Sequence, residues 1–513
     1  MHCALIAAAI SLLMPGLRTP DASYFGPTPV AMVADEETKY LAFQIFTNYS
    51  NKPEVAQLLS NGMRDPLTPG NQALLNYVND IKQRIGTVGM GSNRLAVMLG
   101  PLCFEQTDAE ISQYISNAFD IALQTNVAIG FHIDDSIFWA NRKDLLTDPN
   151  NLETADWDAP PSMGRRLDWS KTPTQAPPQM CFNSPAIQRA VRRRSMVIGR
   201  AIVAGTAQLA QHKHPELFAG VIVGWETMIG QEFSTGKYLG YRALQNRGFN
   251  REHPPRDINI ERESIVKEFI DRWTAGIAAT GVSPQSIYSH TAFLSHRSFE
   301  LGADKSVTYM QRAKNSAYSQ HNHFAPPSVA FGDNHRPGFS TYPQPGLFDD
   351  IYSELTKHKQ EHWASSEGTN MQPDSGPGQS GMNMETYLAR MFNHGATVVN
   401  VFAWGLGGDA MKTMNFRLVT EGAEAIAAYR KFLSGAPLTE VKGDASTIQE
   451  RLPPKIHKIQ NELPAWVQKS GRPERAAEAT ALMKRLQQCI ETSNFDEAEK
   501  IADEIIKMMQ KGA

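Results

Sequence analysis

The stretch Val221–Phe233, VIVGWETMIGQEF, begins with three β-branched residues and a glycine, then sets Trp225 and Glu226 side by side. An apolar run this short, bounded by a glycine, reads as a strand covered on both faces, the habit of parallel sheets packed under helices. Extended back to Ala219, it is one of eight such runs. The others are Tyr40–Thr47, Arg94–Phe104, Val127–Trp139, Ser286–Phe293, Pro327–Asn334, His362–Gly368 and Thr397–Gly405. Between them lie stretches with apolar residues at helical spacing: Ala73–Ile85, Asp108–Asn126 with Asp108 placed to cap it, Ser184–His212, Ile265–Gly281, Leu347–Gln360, Met384–Ala396 and Gly422–Gly435. Eight alternations predict an α/β fold, a (β/α)8 TIM barrel over residues 38–435. A doubly wound open sheet is the competing reading, but no glycine-rich phosphate loop follows the first strand.

The 513 residues are 41% hydrophobic and 20% charged, the composition of a folded globular chain. A net charge of −3 supplies no basic field for nucleic acid or an anionic membrane surface. The four cysteines, Cys3, Cys103, Cys181 and Cys489, match no metal or redox spacing. A Cys103–Cys181 bridge in an oxidising compartment and two inert buried thiols both fit, and the second suits a chain of this size better. Near the start, Cys3–Met14 has the length of a signal-peptide core and is too short to cross a bilayer, although no Lys or Arg precedes it. With Ala22 as cleavage site, residues 1–22 read as a signal peptide and the protein as exported, periplasmic or extracellular. No later segment is long and apolar enough for a membrane span.

Two regions break the alternation. Leu145–Met180 is polar and Pro-rich, too long for an ordinary connection, and is expected to cover a functional face and close one end of a cleft. Residues 445–513 are helical and charge-rich, a C-terminal appendage whose last two helices pair around a turn at Thr492–Asn494 and which packs on the barrel or on a partner subunit.

In such barrels the reactive groups follow the strand carboxyl ends. His132, Asp134, Asp135 and Trp139 follow strand three; Trp225, Glu226, Gln231 and Glu232 follow strand four; His290 and His296 follow strand five. Asp333, Asn334, His335 and Tyr342 follow strand six, Glu367 ends strand seven, and Trp404 ends strand eight. Strands four and seven lie nearly opposite across the mouth, so Glu226 and Glu367 are expected to face one another. Two carboxyls across a cleft can cleave a glycosidic bond, one protonated to release the leaving oxygen and one ionised to attack the anomeric carbon. The Trp225 ring beside Glu226 disfavours its charged form. Trp139, Trp363 and Trp404 suit the apolar faces of sugars.

An acid after strand four, an acid ending WASSEG and a Trp in VFAWG together resemble clan A of the retaining glycoside hydrolases. The resemblance spans the barrel and not the tail. It implies Glu226 as acid/base, Glu367 as nucleophile, a covalent glycosyl-enzyme and no cofactor. That clan places Asn before its acid/base, where this chain has Trp225, while Gln231 precedes Glu232. Either Glu226 is the acid and the Asn role is lost or moved, or Gln231–Glu232 is a variant of the pair. The strand-end position favours Glu226.

Other readings stand beside this one. His132, Asp134 and His335 could hold a metal for hydrolysis, although their spacing forms no recognised ligand motif. A barrel that binds carbohydrate without cleaving it is a third. His290 and Tyr342 are candidate orienters of the nucleophile, and Arg192–Arg194 reads as a solvated helix face.

Overall fold

The computed structural model describes residues 37–46, 71–166, 174–295, 325–343, 346–370, 382–402, 404, 421, 423–440, 448–470, 473–491 and 495–510. The expected signal peptide, His296 and the Thr492–Asn494 turn lie outside them. Eight parallel strands build a (β/α)8 barrel: β1 (Lys39–Phe46), β2 (Asn93–Leu102), β3 (Ala128–Ile133), β6 (Phe218–Val223), β8 (Ile287–Ser289), β9 (Gly338–Ser340), β10 (Trp363–Gly368) and β11 (Ala396–Val401). Their order is β8-β6-β3-β2-β1-β11-β10-β9. Bridges Tyr288–Arg336 and Thr291–Phe339 complete the ring between β8 and β9, with the Thr291 N–H donating to the Gly338 carbonyl at 3.0 Å. β3, β8, β10 and β11 are buried along their whole length, because helices cover the outside and side chains fill the inside.

Strand six differs from its expected position. Pro327–Ala330 is a 3-10 turn, since Pro327 has no N–H to give a ladder. The strand itself is the three residues Gly338–Ser340, too short for any periodicity to show. Gly338 is required there: a Cβ would run into the Ser289 carbonyl on one side and the Ser366 hydroxyl on the other.

Local chemistry explains the helices. Asp108–Thr125 starts with a capping box in which Thr107 and Glu110 satisfy each other's backbone N–H, so Thr107 and not Asp108 is the cap. Asp108 instead pairs with Arg193 at 2.8 Å and Arg194 at 3.4 Å. Arg194 also departs from the solvated-face reading: it is buried in helix Pro185–Gln211 and donates to the carbonyls of Cys103 (3.1 Å) and Gln106 (2.8 Å). Cys103 and Cys181 are free, buried thiols.

The long insertion contributes β4 (Gly164–Arg166) and β5 (Thr174–Ala176). They form a small antiparallel sheet with β7 (Gln231–Glu232), which belongs to the segment following β6. After the last barrel helix, Ala423–Leu433, come helices Ile448–Ser470, Pro473–Glu491 and Phe495–Gln510. They share a core of their own that includes Leu452, Ile459, Leu463, Leu482, Leu486, Ile501 and Ile505. Among the described residues no helix is long and apolar enough to cross a membrane.

Candidate active site

β6 ends at Val223, and Gly224 turns the chain with φ +98°. A Cβ at Gly224 would strike the Thr227 hydroxyl, so this turn needs glycine. Glu226 follows in the left-handed region, φ 57°, a sparsely populated conformation for a non-glycine residue. The loop is held from β3: Thr227 Oγ1 donates to Asp135 Oδ2 at 2.6 Å, and Ser136 Oγ donates to Oδ1 at 2.9 Å. Burial, then the neighbouring Asp134, pushes the Asp135 carboxyl up to about 7. Asp134 caps the next turn, its Oδ1 accepting from the Ile137 N–H at 2.7 Å and the Ser136 N–H at 3.1 Å. Glu226 and Trp225 line a pocket walled by Ser136, Arg165, Gln179 and Met228, so the small sheet forms one side of it.

Glu226 Oε1 is hydrogen-bonded to Ser340 Oγ at 2.8 Å. Ser340 ends β9, is opposite Glu367 in the β9–β10 register, and also bonds His290 Nε2 at 2.8 Å. His290 Nδ1 lies 3.1 Å from His132 Nε2, and the Gly224 carbonyl sits 3.0 Å from the same nitrogen. Trp225 stacks flat on His132, ring centroids 4.2 Å apart at 5°. Glu367, 1% exposed at the end of β10, accepts from the Tyr342 hydroxyl at 2.8 Å. One donor atom from each of His132, His290 and Glu367 falls within 4.8 Å of the other two. Every ring nitrogen in that group is already in a hydrogen bond, to Gln44, Gly224, a histidine or Ser340.

The electrostatics follow from burial. Burial lowers His132 well below the ordinary imidazole value, with His290 adding to it, and brings His290 down to about 3, so both rings are neutral near pH 7. Burial, then the charges of Glu367 and Glu226, hold the Tyr342 phenol far above its usual range. It therefore remains an O–H donor to Glu367 at any working pH.

Eight parallel strands with interleaved helices put the fold in the TIM-barrel class. No protein-family model matches the chain, and no curated protein matches it in sequence. Solved structures similar to it include a β-1,4-mannanase of the sea hare Aplysia kurodai (11% identity, 71% of this chain and 87% of that one, TM-score 0.33). A Bacillus endo-β-1,4-mannanase matches at 10% identity, over 81% and 90%, with TM-score 0.34. A sugar phosphate isomerase/epimerase of Parabacteroides distasonis matches at 10%, over 80% and 100%, with TM-score 0.32. Likeness at this level carries nothing about reaction or substrate.

Of the residues singled out in the sequence, the mouth brings together Glu226, Glu367, His132, His290, Tyr342 and Trp225, with Asp134 and Asp135 supporting the loops. Glu232 is engaged elsewhere: its carboxylate accepts from the Ser234 N–H at 2.8 Å and from Thr235, closing its own turn. That leaves Glu226 as the strand-four acid of the cluster. Asn334 and His335 precede β9 and so sit at the barrel's opposite end, as a consequence of the shifted strand. His335 bonds Thr274 Oγ1 and the Ala330 carbonyl, each at 3.1 Å, so the set His132, Asp134, His335 is not assembled. Trp363 begins β10 and donates to the His394 carbonyl at 2.8 Å. Trp139 is packed in the core. Trp404, 4% exposed, bonds Asp80 at 3.1 Å and lies against Phe43 and Arg84 rather than open to the mouth.

Ser340, Gln44 and Asn400 escaped the sequence reading. Ser340 was hidden by the misplaced strand. The other two carried a signal, each being an amide in the middle of an apolar strand, FQIF in β1 and VVNV in β11.

Proposed function

We propose that this chain is a retaining glycoside hydrolase of the clan A type, acting on oligo- or polysaccharides, with Glu367 as nucleophile and Glu226 as acid/base. One observation carries the reading: the acids of strands four and seven reach the same pair of histidines, Glu226 bonded to Ser340 and through it to His290, and Glu367, bonded to Tyr342, with an oxygen within 4.8 Å of a ring nitrogen of both His290 and His132. The Tyr342 hydroxyl stabilises Glu367 as the carboxylate, as a nucleophile requires. A Glu367 oxygen attacks the anomeric carbon while Glu226 passes its proton to the departing oxygen, and that C–O bond breaks. Glu226, now ionised, takes a proton from water. The water oxygen then displaces Glu367 from the sugar. No cofactor enters these steps. Export, with cleavage after residue 22, belongs to the same proposal and is read from the amino terminus of the mature protein.

A panel of aryl glycosides tests the reaction. Turnover of at least one, abolished in a folded Glu367→Ala protein, supports it; unchanged turnover in that variant ends it. Activity lost to a chelator and restored by a divalent ion would point to metal-assisted hydrolysis. Sugar binding without release of product across the panel would point to a binding barrel.

A further inference from the structure

The pocket beside Glu226 holds one half of a substrate and not the other. Among the described residues its walls include Glu226 and not Glu367. In the proposed reaction Glu226 gives its proton to the departing oxygen, so the half that leaves lies on the Glu226 side. The pocket is therefore the seat of the leaving group, and its walls select what that group is. Ile137, Trp225, Met228 and Leu239 give it an apolar surface. Its polar side chains are spent on the protein itself. Gln179 Nε2 donates to the Met228 carbonyl at 2.7 Å, and Gln179 Oε1 accepts from the Gly230 N–H at 2.8 Å. Ser136 Oγ donates to Asp135 at 2.9 Å, and the Gln231 amide bonds the Tyr238 hydroxyl. The Arg165 guanidinium is laid over the turn at Gly236, its Nη1 2.6 Å from where a Cβ would stand. A sugar ring entering here would give up water at each hydroxyl and meet groups already taken, whereas an aromatic or alkyl group gains by leaving water.

The apolar surface continues outward along the small sheet. Met163 stands one residue before β4 and Phe233 one residue after β7, tied together by the Phe233 N–H donating to the Met163 carbonyl at 2.9 Å. Side chains alternate along a strand, so Met163 shares a face with Arg165 and Phe233 with Gln231, both of them pocket residues. Among the described residues only four large hydrophobic side chains are exposed, and this pair, at 39% and 36%, is two of the four.

We propose that the pocket binds an apolar leaving group, and that the substrate is a sugar or oligosaccharide joined to an aromatic or aliphatic alcohol, cleaved at that junction rather than between two sugars. This rests on the reading of Glu226 as proton donor and deepens it. When the bond to the anomeric carbon breaks, its electron pair stays with the departing oxygen, which takes the Glu226 proton and leaves as the free alcohol. Met163 and Phe233 prolong the contact for an alcohol that reaches beyond the pocket.

The preference is read first without turnover. The full chain is labelled with 13C at the methionine methyls, and the Met228 signal is assigned by its loss in Met228→Leu. Titration with 2-naphthol is expected to shift Met228 saturably while Met90, exposed before β2 at the opposite end of the barrel, stays in place. Cellobiose and mannobiose at the same concentrations are expected to leave Met228 unmoved. No shift with naphthol, an equal shift at Met90, or a response to either disaccharide at or below the naphthol concentration overturns the proposal. Turnover gives a second decision. On the sugar that the aryl glycoside panel shows to be cleaved, Met228→Gln is expected to raise KM for the 2-naphthyl glycoside about tenfold, with kcat held within about twofold. A fall in kcat at unchanged KM would make Met228 a support for Glu226 and not a contact of the leaving group. A panel without turnover ends the hydrolase reading and leaves the Met228 titration to decide the pocket; absent shifts beside normal turnover end this proposal alone.

Discussion

Two buried histidines sit at opposite ends of this barrel. His290 follows β8 at the carboxyl end of the strands; His335 precedes β9 at the amino end. Burial makes both neutral, lowering His290 to about 3 and His335 to about 4. Both have their two ring nitrogens in hydrogen bonds. His335 ends its bonds on Thr274 and a carbonyl, inert groups that only tie Ile258–Ala278 to the turn at Ala330. His290 ends on Ser340 and through it on Glu226. Neutrality and burial are thus common to a histidine of the candidate site and one remote from it. What separates them is the chemistry of the last group in the chain.

Substitutions can break this comparison or sharpen it. The largest effect is expected from Glu367→Ala, a loss of turnover on the order of 10⁴-fold or more with melting temperature nearly unchanged. Glu226→Gln is next, about 10²- to 10⁴-fold, and milder on substrates with good leaving phenols. A smaller loss for poor leaving groups than for good ones would contradict the role of Glu226 as acid. His335→Asn is expected to leave turnover per folded molecule intact while costing about 1–3 kcal/mol in denaturant unfolding, and lost turnover there would erase the distinction between the two ends.

Titration sharpens the same point. His335 has a folded value of about 4 against 6.5 ordinarily, so between those values the unfolded chain binds a proton that the folded one does not. Stability from this group is therefore complete above pH 6.5 and declines as the pH falls toward 4. The stability difference between wild type and His335→Asn should shrink over that window; a difference that grows on acidification would refute the buried neutral ring. The smallest effect is expected from Trp404→Phe, about 1 kcal/mol for the lost bond to Asp80, with no change in substrate affinity. A large rise in KM would restore that ring to the sugar site.

The sequence made the barrel legible because β1, β2, β3, β6 and β11 are largely apolar runs of six residues or more, and the position of Glu226 and Glu367 after the fourth and seventh strands followed from counting. Strand six was misread for a physical reason: Val329 and Phe331 supply apolar character to a turn, whereas the real strand is Gly-Phe-Ser and owes its place to the close approach at Gly338. That single slip moved His335 to the wrong end and hid Ser340. The aromatic residues failed differently. Trp139, Trp363 and Trp404 were weighed as sugar platforms from residue type alone, and type does not tell whether a ring faces solvent or its own core.

The pairing of β7 with the insertion hairpin ties together two things that a designer would prefer to keep apart. The segment that presents Glu226 is stitched to the strands that border the pocket beside it, so under the proposed function remodelling those strands to admit a different sugar would also displace the acid. Under that function, substrate range and rate would be coupled in this scaffold. Swapped hairpins between relatives should alter both at once.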